Sequence, residues 1–143
     1  MSLQQGQTLS FRSEMLLGGQ NFASDTFYMA LYDGFATMGP TTTEYTSTNE
    51  VSSDGTNYTA GGNVLTGATV SIDVTTNTVY LSFDNVSWPD AAFTARGALI
   101  YNSSQSNKSV AVLDFGSDKL FTAANNTVTM PVNSATTALL RFV

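Results

Sequence analysis

The chain has 143 residues, a net charge of −6 and charged residues at only 11% of positions, against roughly 25% in ordinary soluble domains. That length suits one domain with a core that needs no covalent staples, and the five cations, Arg12, Arg96, Lys108, Lys119 and Arg141, are too few and scattered to form a phosphate-binding stripe, so no nucleic-acid partner is expected. No apolar run approaches the ~20 residues of a membrane span. The first residues lack the basic and apolar regions of a signal peptide, so synthesis in the cytoplasm without export by the usual secretory route is expected.

Residues 1–20 read as an arm carrying one short helix. Ser10 is its expected cap, Glu14 its first-turn acid and the pair Gly18 and Gly19 its stop. Phe11 and Met15, four apart, share the face that must dock, because two turns cannot stand alone. From residue 26 the pattern changes to period two. Phe27, Met29 and Leu31 point one way. Val70, Ile72 and Val74 alternate with Thr69, Ser71 and Asp73, and Val79, Leu81 and Phe83 alternate with Tyr80, Ser82 and Asp84, with a turn at residues 75–77. Strands over 94–101 and 108–115 flank a polar turn at 102–107. Val128, Met130 and Val132 mark another strand, which Pro131 assigns to an edge. Residues 138–143 form the last.

About seven evenly spaced strands with no intervening helices predict an all-β protein, an antiparallel β-sandwich or jelly-roll-like barrel with one short N-terminal helix and a long polar connection. The expected core holds Phe27, Met29, Leu31, Val70, Ile72, Val79, Leu81, Phe83, Leu99, Leu113, Phe115, Val128, Met130 and Leu140. The connection, residues 33–62, is rich in Thr, Ser, Asn and Gly. Its apolar content is too thin to offset the ordering of about thirty residues at roughly 1–2 kcal/mol each. It is therefore expected to be poorly ordered alone and to reach a partner through Phe35, Met38, Tyr45 and Tyr58. An arm folded back over its own sheet is the other outcome.

The chemistry of catalysis is missing. With neither His nor Cys in the chain, the usual nucleophile systems and soft-metal sites are excluded, and no cofactor motif occurs. Asp84, Asp90, Asp114 and Asp118 fall at strand ends and turns, where acids commonly cap. A carboxylate pair among them is the remaining route to an enzyme. Trp88 reads as a plug at one end of the sandwich, or else as a sugar-stacking platform.

Two stretches carry a resemblance. One includes Ala30, Leu31 and Tyr32, residues 41–51 with Glu44, Tyr45, Glu50 and Val51, and then Tyr58, Gly61 and Gly62. The other runs over residues 93–102 and 111–116, with Phe93, Arg96, Gly97, Tyr101, Asp114 and Phe115. Together they resemble small virion structural proteins of tailed bacteriophages. The resemblance implies a virion location after synthesis in the host cytoplasm, no enzymatic activity and no catalytic residues. It implies a capsid cement or decoration role, with the major capsid protein or other virion proteins as partners and a homo-oligomer, a trimer among the options. A tail, baseplate or fibre role fits the same resemblance, and a non-catalytic carbohydrate-binding module fits the composition.

Overall fold

The computed structural model describes residues 2–143. It is all-β and sandwich-like, with one helix. The strands are β1 (Ser2–Leu3), β2 (Gly6–Gln7), β3 (Phe27–Tyr32), β4 (Thr37–Met38), β5 (Asn63–Val64), β6 (Thr69–Asp73), β7 (Thr78–Ser82), β8 (Val86–Ser87), β9 (Phe93–Asn102), β10 (Lys108–Phe121), β11 (Thr127–Val128) and β12 (Leu140–Phe142). The helix α1 spans Leu9–Leu17.

The main sheet has the order β2–β10–β9–β3–β5, with every pairing antiparallel. A second sheet has the order β12–β7–β6, and β11–β8 and β1–β4 form two short pairs. β1 and β4 run parallel. One face of the main sheet carries Phe27, Met29, Leu31, Ala98 and Ile100, which pack with Leu81, Phe83 and Leu140 of the second-sheet region, Trp88 and Phe11 of α1. Its opposite face is also apolar: Ala30, Tyr32, Leu99, Tyr101 and Val112 join Ala36 and Met38 in a separate cluster. A sheet apolar on both faces needs two covers, since side chains alternate along each strand.

The register of β10 against β9 slips between Ser109 and Ala111, a bulge that sends both Val110 and Ala111 to the first face. It slips again between Asp114 and Lys119, where β10 bulges out before pairing with β9 resumes over Lys119–Phe121, past the predicted end at 115. The strand expected through Val128, Met130 and Val132 shrinks to Thr127–Val128, and the last to Leu140–Phe142.

α1 begins two residues earlier than expected. Thr8, not Ser10, is its cap: the hydroxyl accepts from the Phe11 amide at 3.2 Å, and the same oxygen lies 2.9 Å from the Ser109 hydroxyl. Thr8 wins because it is buried against β10, so its oxygen serves the helix and the sheet together. Glu14 then falls beyond the first turn and pairs with Lys108 at 3.1 Å, fastening α1 to β10. Gly18 closes the helix in the left-handed region, at φ 73°.

Three expected core residues are not in the core. Val70, Ile72 and Val79 lie on the β6–β7 hairpin and are exposed, Val70 at 58% and Ile72 at 72%. Leu113, Phe115 and Val128 are partly buried at the margin of the main core, and the remaining members of the expected set are buried.

Candidate docking surface

The connection over 33–62 contributes to both faces of the main sheet: Val51 and Tyr58 join the first-face core, and its earlier part lies on the second face. Ala36 and Met38 enter the cluster there. The Val51 amide donates to the Leu31 carbonyl at 2.9 Å, and the Tyr45 amide donates to that of Asn107 at 2.9 Å. Isolated bridges join Glu50 to Tyr32 and Glu44 to Lys108.

The centre of this cover is the half-buried Glu50. Its carboxylate accepts from the Tyr45 and Tyr58 hydroxyls, each at 2.6 Å, and from the Gly61 amide at 2.8 Å. The Tyr58 hydroxyl also accepts from the Leu31 amide at 2.9 Å, which ties the connection to β3. Tyr101 donates to the Gly61 carbonyl and Tyr32 to that of Thr46, both at 2.6 Å. Burial, then the Glu50 charge, raises Tyr32 well above the ordinary phenol range. Burial and the hydrogen bond to Glu50 do the same for Tyr58 and Tyr45. Burial followed by the Glu50 charge pushes Tyr101 up to about 12. All four phenols are thus held as neutral donors.

Of the four residues expected to reach a partner, Met38 (4% exposed) and Tyr58 (3%) are buried in the chain's own clusters and are withdrawn as surface anchors. Tyr45 is half-buried, stacked on Tyr101 with ring centroids 4.8 Å apart. Phe35 alone is open, at 76%. Tyrosine supplies apolar area and a hydrogen bond together, and here Tyr45 and Tyr58 spend both within their own chain.

An exposed apolar patch lies on the second sheet. On one face of the β6–β7 hairpin, Val70 pairs across to Leu81 and Ile72 to Val79. Leu81 is buried in the core, but the rest of this face overhangs it: Val70, Ile72, Val74 and Val79 are all exposed. Buried Thr78 and half-buried Ser71 and Tyr80 lie on the other face, so here the polar side is the better covered. Between the overhang and α1 runs a groove of about 470 Å³. Met15, Leu16 and Phe22 line one side and Val70, Val79 and Phe142 the other, with buried Leu81 and Leu140 behind. Sequence periodicity assigned Val70, Ile72 and Val79 correctly to one apolar face. It carries no information on whether that face meets the chain's own core or another molecule.

Asp114 and Asp118 lie 3.9 and 3.8 Å from Arg96, Asp84 accepts from the Thr66 hydroxyl at 3.4 Å, and Asp90 occupies a left-handed turn position at φ 58°. Among the described residues no group of three acidic side chains is placed to hold a cation. A shallow depression of about 700 Å³ beside the second bulge of β10 is lined by Asp114, Lys119, Asn125 and Asn126 with Phe115 and Leu120. Trp88 is 1% exposed and packs between Tyr58 and Phe121, so it is a plug and offers no stacking platform. Among the described residues no helix is long and apolar enough to cross a membrane. No protein-family model, no curated protein and no solved structure matches the chain.

Proposed function

We propose that this protein is a non-enzymatic structural component of a phage virion, a cement or decoration protein that seats the apolar face of its β6–β7 hairpin on the capsid surface and fastens neighbouring subunits. The observation that carries the contact is the overhang itself. A run of Val70, Ile72, Val74 and Val79 left in water, bordered by an apolar groove, is the kind of patch that marks a protein contact. The resemblance to small virion proteins supports the setting. The low charge supports the mode, because a face with few charges loses little on desolvation. Each contact is small, and repetition over a closed shell multiplies its effect.

Quantitative mass spectrometry of purified particles tests the reading. Hundreds of copies per particle are expected. A few copies would move the protein to the tail, baseplate or fibre, and its absence from particles would overturn the virion role. A sugar-binding reading loses its Trp88 platform to burial, and the groove beside the overhang is mostly apolar, with Arg12 and Tyr80 its polar members.

A further inference from the structure

The second sheet ends at β6, which pairs with β7 on one side only. Its outer edge therefore presents a row of unpaired main-chain donors and acceptors, and what satisfies such a row is another extended strand. Protein edges are ordinarily guarded by proline, lysine or a bulge. β6 has none of these: its sequence is Thr69, Val70, Ser71, Ile72 and Asp73, and its register against β7 is unbroken.

We propose that the strand completing this edge is β6 of a second copy, paired antiparallel about a two-fold axis through Ser71. The sequence is self-complementary in that arrangement. Ser71 faces its own mate, Val70 faces Ile72 twice, and Thr69 faces Asp73 twice, so both apolar pairs fall on the exposed face and no like charges oppose each other. Each Asp73 meets a hydroxyl donor. This is the one register that pairs all five residues, and β-branched pairs of this kind stabilise cross-strand contact. The symmetry is closed: one edge shared by two copies leaves nothing for a third, so the assembly is a dimer rather than a trimer.

Pairing in the plane of the sheet does not use up the apolar face. It joins two three-stranded sheets into one of six strands and sets two overhangs side by side. On the proposed function this doubled face is what meets the capsid, each half seated on a different subunit. The inference rests on that reading for the use of the pair and not for its existence. Absence from particles would sink the virion role and leave the pair standing, whereas a strictly monomeric chain would do the reverse. A five-residue strand buries less than the ~1,200 Å² of a stable interface, so the isolated protein is expected to associate weakly, in the range of roughly tens to hundreds of micromolar.

The chain contains no cysteine, so a single introduced thiol reports on its own mate. Across the two-fold, Ser71 and its mate have Cα atoms about 4.5–5.5 Å apart, within the range a disulfide spans. Under mild oxidation of the purified protein, Ser71→Cys is expected to form a covalent dimer at least about 30-fold faster than Ser53→Cys, a control in the exposed part of the connection. Adding Ile72→Lys to the Ser71→Cys chain is expected to abolish that advantage, and because Ile72 is exposed its replacement leaves the melting temperature in place. Crosslinking of Ser71→Cys at the control rate overturns the proposal. So does crosslinking insensitive to Ile72→Lys, and so does a trimer in sedimentation of the unmodified chain.

Discussion

The connection over residues 33–62 and the β6–β7 hairpin are two surface regions that exchange the roles their composition suggests. The connection is polar, yet it is fastened to the main sheet by Met38, Val51, Tyr58 and the Glu50 carboxylate. The hairpin is strongly patterned with β-branched residues, yet it holds them in water. The difference lies in what each region faces. β3 and β9 are apolar on both sides, and the connection is the cover available to the second side. The hairpin extends past the end of the core, so beyond Leu81 its apolar face meets only an open groove toward α1. A segment's fate follows from the surface opposite to it as much as from its own residues.

The comparison breaks most severely at Gly62, where the connection rejoins β3. Its φ is +82°, and a Cβ there would collide with the Met29 carbonyl oxygen, a backbone atom that cannot step aside. Gly62→Ala is expected to cost about 3 kcal/mol or more, through left-handed strain and collision together. Chemical denaturation measures it, and a loss below about 1 kcal/mol would mean that the connection does not rejoin the sheet in this way.

Glu50→Ala strips the acceptor from two tyrosine hydroxyls and the Gly61 amide. With Tyr58 buried, the expected cost is about 2–3 kcal/mol. The same substitution is expected to increase proteolytic cleavage within 33–62 while leaving β9 and β10 intact. Uniform loss of the whole fold without local cleavage would deny the connection its separate latch.

Tyr32, Tyr58 and Tyr101 give a pH signature. Their folded-state pKa values lie above the unfolded value of about 10, so their contribution is fully present below pH ~10. It is lost as pH rises from there through the folded values, because only the unfolded chain releases those protons. For buried Tyr32 and Tyr58 the slope approaches about 1.4 kcal/mol per pH unit each. Stability measured between pH 9 and 11 is expected to turn downward near 10, and Tyr58→Phe is expected to flatten the slope. A curve unchanged by that substitution would contradict the network.

The smallest effect is expected on the hairpin. Ile72→Lys or Val70→Lys in the isolated protein should change stability by no more than about 0.5 kcal/mol, as for open surface positions. The same substitutions at Met29 or Leu31 should unfold it. A loss above about 2 kcal/mol at Ile72 would show that the hairpin face belongs to the chain's own core.

How much of this was legible in the sequence differs by region. The alternation of Phe27, Met29 and Leu31, the turn after Val74 and the pairing of the strands around 102–107 all follow from period and turn chemistry, and the structure has them. The second buried face was also written in the sequence: Ala30, Leu31 and Tyr32, like Ala98, Leu99, Ile100 and Tyr101, form continuous apolar runs, and such runs call for cover on both sides. The cover itself was not legible. Glu50 lies in a polar stretch, and its partners Tyr45 and Tyr58 stand five and eight residues away without period. The hairpin misled for the opposite reason: Val70, Ile72 and Val79 carry the same alternation as a core strand, and only the packing reveals that the core stops short of them.

Hydrogen exchange of the isolated protein over a range of concentrations tests the exchange of roles most directly. The amides of Tyr45 and Val51, bonded to Asn107 and Leu31, are expected to be protected at every concentration. The outer-edge amides of β6 are expected to exchange freely when dilute and to gain protection as concentration rises. Rapid exchange at Tyr45 and Val51 in the dilute protein, with β6 fully protected there, would return the connection to the partner and the hairpin to the core, and the account would fail.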